Sequence, residues 1–161
     1  MKKKYAALIF CAIGLLLGSV TSEAKKKPSV TAESAIVMDV QSGAILYEKN
    51  IDKREYPASI TKVMTALVAI ENSSLSETVT YSRNAVTNLE SGASNIEIQP
   101  GEKLSMEDSL YAILLMSANE ACNGVAEHVA GSIDNFVAMM NQKAKELGCT
   151  GTNFANANGL W

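Results

Sequence analysis

The chain has 161 residues, of which 47% are hydrophobic, 19% charged and 6% aromatic, with a formal net charge of −3. That is enough apolar material for one domain with a core of its own. The acidic balance and the few aromatics argue against a nucleic-acid partner, which needs cations for phosphates and rings for bases.

The first 24 residues, MKKKYAALIFCAIGLLLGSVTSEA, place three lysines before an apolar run from Tyr5 to Val20, followed by small and polar residues. This is the pattern of a secretory signal peptide, with cleavage expected after Ala24. The run is short for a full membrane span. Loss of Lys2, Lys3, Lys4 and Glu23 takes the net charge from −3 to −5. The protein is therefore expected outside the cytoplasmic membrane, in the periplasm or cell wall. The two cysteines that remain, Cys122 and Cys149, are read as small buried hydrophobes; an exported protein also permits a bridge, but nothing in the spacing speaks for one.

Residues 25–33 read as a flexible lead-in. SAIVMDV (34–40) predicts a buried strand, Gln41-Ser42-Gly43 a turn, and AILYEKN a second strand, together a hairpin. A helix is expected from Pro57 to about Asn72. Ile60, Val63, Met64, Leu67 and Val68 recur along it at helical spacing, which predicts a helix buried on almost every side. Short strands are expected at 78–81 and 95–98. Ser105 with Asp108 signals a helix start, and MEDSLYAILLM follows with Leu110, Ile113 and Leu114 on one face. A further helix runs through ACNGVAEHVAG. Ser132 caps a last one that stops at Gly148, with Met139 and Met140 on its packing face, and the end is loop-like.

Lys62 is out of place in the first turn of so apolar a helix. A buried ammonium is costly, and the positive end of the helix dipole makes it costlier. Both effects push the side chain toward a neutral amine, which is a base. Ser59 lies three residues earlier, on the same helix face. Lys62 is thus placed to take the Ser59 proton and leave a nucleophilic oxygen, and the Ser59 N–H to meet an oxyanion. The same residues also fit a lysine that reaches solvent and a serine that caps a helix. S-x-x-K occurs again as a decoy at Ser22-Glu23-Ala24-Lys25.

Ser117 and Asn119 form a second polar constellation, at the junction of two apolar helices. A hydroxyl there relays a proton and an amide holds a carbonyl; both also serve as caps. Ser82-Arg83-Asn84 repeats the spacing in a polar loop. His128, the single histidine, lies beside Glu127 in a polar stripe and is read as a surface residue. One histidine and two cysteines give little material for a His/Cys metal site.

P-A-S-I-T-K-V-M-T-A-L, S-A-N-E-A and FVAMMNQKAKELGCTGTNFANANGL stand in this order and resemble the serine D,D-peptidases that recognise penicillin, in particular the low-molecular-weight D-alanyl-D-alanine carboxypeptidases. The resemblance runs from about Ser34 to Leu160. It implies an α/β fold with an antiparallel sheet flanked by helices and a mainly helical lobe that carries Ser117 and Asn119. It implies that Ser59 is the acylated nucleophile, Lys62 its general base, Ser117 a proton relay to the leaving group and Asn119 a substrate-binding residue. The implied substrate is a peptidoglycan stem peptide ending in D-Ala-D-Ala, with β-lactams as acylating inhibitors. No metal or organic cofactor is implied. Many members also carry a C-terminal amphipathic anchor, which implies peripheral membrane contact for a full-length form of that kind.

The family's third motif, K-T-G, is absent; Cys149-Thr150-Gly151 has the T-G without the cation. Residues 34–161 are therefore expected to be the N-terminal part of a catalytic domain, weakly active and poorly stable alone. Two alternatives remain: a fragment that binds muropeptide or penicillin without turnover, and a serine β-lactamase.

Overall fold

The computed structural model describes residues 28–87 and 89–160. The predicted signal peptide and the start of the lead-in lie outside them. Two compact units divide after Arg54.

The first unit is the predicted hairpin. β1 (Ala35–Met38) pairs antiparallel with β2 (Ile45–Lys49), with Ile36 opposite Glu48 and Val37 opposite Tyr47. The turn is built by Asp39, whose Oδ1 accepts from the Ser42 N–H (2.8 Å) and hydroxyl (2.5 Å). The Ser42 hydroxyl and N–H hold the Asp39 carboxyl below its usual range. Gly43 takes the left-handed conformation that closes such a turn (φ 71°). The buried strand expected at 34–40 is not found. Ile36, Met38 and Leu46 are 54%, 54% and 68% exposed. Among the described residues this sheet has two strands, and a two-stranded hairpin covers neither of its own faces.

The second unit is mainly helical. A 3-10 turn, Ala58–Ile60, leads into α1 (Thr61–Asn72). β3 (Thr78–Thr80) precedes a short α2 (Arg83–Thr87), and β4 (Lys103–Ser105) runs into α3 (Met106–Leu115). α4 (Asn119–Ala130) and α5 (Ile133–Glu146) complete the order. β3 and β4 pair antiparallel, with Val79 opposite Leu104.

The predicted caps are found. Ser105 Oγ accepts from the Asp108 N–H at 3.0 Å, and Ser132 Oγ from the Asn135 N–H at 3.1 Å. Each ties down a donor that the first helical turn leaves unpaired. α4 is the central helix, packed by α1, α2, α3, α5 and β3. All eight residues from Asn119 to Val125 and Ala126 are buried. Gly124 leaves room for Tyr81, because a Cβ there would lie 2.3 Å from the ring. Burial pushes the Tyr81 hydroxyl up to about 12, and it donates to Ser109 Oγ at 2.8 Å. Phe136, Met140 and Ala144 form the buried stripe of α5, with Met139 at its edge.

Several expectations are corrected. α1 buries Thr61, Lys62, Thr65, Ala66, Val68 and Ala69, whereas Ile60 and Val63 are 71% and 62% exposed. α4 packs against that side, so Ile60 and Val63 point out, while Val68 stays buried and Met64 packs at the edge of the core. Leu114 is likewise exposed, while Leu110 and Ile113 are buried. No strand forms at 95–98. Ser94 and Ile96 bond instead to the first turn of α4, and β3 takes Lys103–Ser105 as its partner. Ser82, the decoy, caps α2 by accepting from the Ala85 N–H at 3.0 Å. Cys122 and Cys149 are both free, but only Cys122 is buried; Cys149 follows the end of α5 and is exposed. His128 is half-buried and bonds the Glu77 carboxylate at 2.8 Å. Among the described residues no helix is long and apolar enough to cross a membrane.

Candidate active site

The four residues singled out in the sequence come together within the second unit. Ser59 lies on the 3-10 turn, one residue after Ala58, whose φ of 49° is left-handed. Ser117 lies between α3 and α4 and is itself left-handed, with φ 56°. Such conformations cost a non-glycine residue roughly 1–3 kcal/mol and persist only where surrounding structure enforces them. Here they set both hydroxyls together: Ser117 Oγ donates to Ser59 Oγ at 2.9 Å. Ser59 makes no helix-capping bond, so its hydroxyl is not committed to the backbone.

Lys62 follows one turn later on the buried face of α1, only 3% exposed. Its Nζ lies 3.2 Å from Ser59 Oγ, 2.8 Å from Asn119 Oδ1 and 2.8 Å from the Asn158 carbonyl oxygen. An ammonium would fill all three contacts with its three N–H donors. A neutral amine has two N–H donors and one lone pair. The two carbonyl oxygens can only accept, so they take both hydrogens, and the lone pair is left for Ser59. Burial lowers the Lys62 pKa and favours that neutral form, while Cys122 raises it. The Cys122 thiol is itself pushed up to about 12 by burial, so it carries little charge near neutrality.

Asn119 begins α4 and is anchored on two sides. Its Oδ1 accepts from Lys62, while its Nδ2 and backbone N–H donate to the Ser94 carbonyl at 2.8 and 3.0 Å. Glu120, beside it and 1% exposed, accepts from the Ile96 N–H at 2.6 Å through Oε1. The segment around Ser94–Ile96 is thus strapped to the S-A-N turn.

Sequence reasoning missed the contribution of the last residues. Asn158 supplies Lys62 with a backbone carbonyl, which no side-chain pattern betrays. Thr65 Oγ1 donates to the Ala157 carbonyl at 2.5 Å, fixing the same segment against α1. Gly159 has φ 85°, and a Cβ there would fall 2.0 Å from the Ala58 carbonyl oxygen. The inward-facing hydroxyl of Thr65 was the one available signal, since a buried hydroxyl in a helix needs a partner.

Ser59 beside the left-handed Ala58, a buried lysine one turn on and a left-handed Ser117 from another helix junction form an arrangement of the S-x-x-K type. The D-alanyl-D-alanine carboxypeptidase family model matches residues 21–161, and the chain belongs to that family. It is 35% identical to the D-alanyl-D-alanine carboxypeptidase DacF of Bacillus subtilis, over 98% of this chain and 43% of that protein. It is 37% identical to DacC of Escherichia coli, over 83% of this chain and 35% of that protein. Among solved structures, the carboxypeptidase DacD of Francisella tularensis matches 84% of this chain and 33% of its own, with TM-score 0.78 and 35% identity. Penicillin binding protein 6B of Escherichia coli matches 86% of this chain and 46% of its own, with TM-score 0.79 and 30% identity. The chain thus spans less than half the length of these relatives.

Proposed function

We propose that the chain carries the acylating part of an exported serine D,D-carboxypeptidase that trims peptidoglycan stem peptides ending in D-Ala-D-Ala. The observation that supports this best is the hydrogen-bonded series Ser117 Oγ–Ser59 Oγ–Lys62 Nζ, whose two remaining amine hydrogens are taken by carbonyls.

In this reading neutral Lys62 takes the Ser59 proton as Ser59 Oγ bonds to the carbonyl carbon of the D-Ala-D-Ala peptide bond. The positive end of α1 and the Ser59 N–H favour the developing negative charge. The C–N bond then breaks, and Ser117 gives its proton to the departing D-alanine amine while taking up the one that Lys62 holds. The acyl-enzyme is released by water. Asn119 keeps one Nδ2 hydrogen for a substrate carbonyl. β-Lactams acylate Ser59 by the same steps.

No K-T-G occurs in the 161 residues. In family terms that motif supplies a cation for the terminal carboxylate, and its strand supplies a second oxyanion donor. Loss of one such donor costs on the order of a hundredfold in rate. We therefore expect residues 34–161, the N-terminal part of a catalytic domain, to acylate slowly and turn over weakly.

The test is labelling with a fluorescent penicillin, read by intact mass, with Ser59→Ala alongside. We expect an adduct on the wild type and none on the variant. An adduct that survives in Ser59→Ala overturns the assignment of the nucleophile. Release of D-alanine from a D-Ala-D-Ala peptide separates slow turnover from binding alone, and rapid nitrocefin hydrolysis would instead indicate a β-lactamase.

A further inference from the structure

The direction of the Lys62 lone pair is set by whatever holds its other two hydrogens. One acceptor, Asn119 Oδ1, is fixed directly by α4. The other, the Asn158 carbonyl, belongs to a loop and needs its own support.

That support is a pair of buried amides. Asn158 Nδ2 donates to Asn123 Oδ1 at 3.2 Å, and Asn123 Nδ2 donates to the Ala85 carbonyl in α2 at 3.1 Å. Asn158 Oδ1 accepts from the Leu160 N–H at 2.9 Å. Asn158 and Asn123 are 7% and 5% exposed, so water does not substitute freely for these bonds. Asn123 lies one helical turn after Asn119, on the same face of α4. One helix face therefore governs both acceptors, Asn119 by touching Lys62 and Asn123 by fixing the loop residue that touches it.

We propose that Asn123 is a positioning residue for the Ser59–Lys62 pair. Acting through Asn158, it holds the backbone carbonyl that takes one Lys62 N–H and so keeps the lone pair on Ser59. This rests on the reading of Lys62 as the base. An apolar residue of similar size at 123 fills the space but orphans Asn158 Nδ2, which leaves the peptide plane after Asn158 held from within its own loop alone, by the Gly159 N–H donating to Asn156 Oδ1 at 2.6 Å.

The experiment reads Lys62 itself. The 161-residue chain is labelled with 15N-lysine, and hydrogen exchange at Nζ is followed by NMR, with the Lys62 signal assigned by its loss in Lys62→Met. In the wild type we expect Nζ exchange slower than at the surface lysines. Asn123→Leu is expected to speed it at least about tenfold while the backbone amide spectrum stays native. Asn158→Ala removes the same bond from the loop side and serves if Asn123→Leu does not fold. The double variant is expected to exchange no faster than the faster single, as required if one residue acts through the other. Unchanged exchange in folded Asn123→Leu or Asn158→Ala, multiplying effects in the double variant, or wild-type exchange as fast as at surface lysines each overturns the proposal. None of these readings depends on acylation. A wild type that never acylates Ser59 thus counts against the functional reading and leaves this measurement intact.

Discussion

The hairpin and the helical unit treat polarity in opposite ways. The hairpin leaves Ile36, Met38 and Leu46 more than half exposed. The helical unit buries Lys62, Asn119, Glu120, Asn123 and Asn158. Exposed apolar surface is ordinary and costs little that single residues need explain. A buried polar group costs roughly 1–3 kcal/mol unless it is paired, and an ammonium more. Such groups survive only where a network satisfies them. In the helical unit nearly all are satisfied; among the described residues Glu120 Oε2 is the one buried side-chain oxygen or nitrogen without a hydrogen bond. Of the four left-handed non-glycine residues among the described ones, Ala58 adjoins Ser59 and Ser117 is one itself, while Asn50 and Glu97 lie elsewhere.

The sharpest way to break this contrast is at Gly159. Gly159→Ala forces a left-handed backbone on a side chain and sets its Cβ 2.0 Å from the Ala58 carbonyl. We expect a loss of about 3 kcal/mol, combining roughly 1 kcal/mol of backbone strain with the cost of overpacking. Penicillin labelling should fall with it, because Ala58 adjoins Ser59. A urea midpoint close to that of the wild type would show that the terminal loop does not buttress the turn.

Two substitutions compare the units directly. Gly124→Ala drives a methyl group into the buried Tyr81 ring and should cost about 1–3 kcal/mol. Ile36→Ala, at a half-exposed hairpin position, should cost under about 1 kcal/mol in the same urea series. Equal costs would erase the distinction between the two regions.

The buried lysine predicts a pH dependence of defined sign. Its folded pKa is lowered, so between that value and the ordinary lysine value the unfolded chain binds more protons. Stability contributed at Lys62 therefore rises with pH across that window, by at most about 1.4 kcal/mol per pH unit for one proton. The stability of the wild type minus that of Lys62→Met should rise in the same direction, and the subtraction removes the opposing titration of Tyr81, which Lys62 does not influence. A flat difference would mean that the ammonium is not desolvated.

The smallest effect is chemical. Cys149 is exposed, whereas burial raises Cys122 to about 12, which leaves roughly a thousandfold less thiolate than an ordinary cysteine. Native-state alkylation read by mass should mark Cys149 first and reach Cys122 only on unfolding.

Much of this was legible from residues alone. Ser105 and Ser132 announced their helices through local capping, which is sequence-near physics. Ser59 and Lys62 were legible because a lysine contradicts an apolar helix. The outward turn of Ile60 and Val63 was not legible, since hydropathy reports a stripe but not which neighbour covers it. The pairing of β3 with Lys103–Ser105 rather than with 95–98 was equally hidden. It depends on Asn119 and Glu120 capturing the Ser94–Ile96 segment, across more than twenty residues of chain.

By itself, then, the sequence determined the hairpin, the longer helices, the two polar constellations and the kinship they imply, because spacing along a helix is a local property. Only the tertiary structure decided that Lys62 meets Asn119 Oδ1 and the Asn158 carbonyl beside Ser59. That outcome needs two carbonyl acceptors from distant parts of the chain, one a side-chain amide and one a backbone oxygen. Backbone oxygens are identical in every residue, and only folding gives one of them a direction.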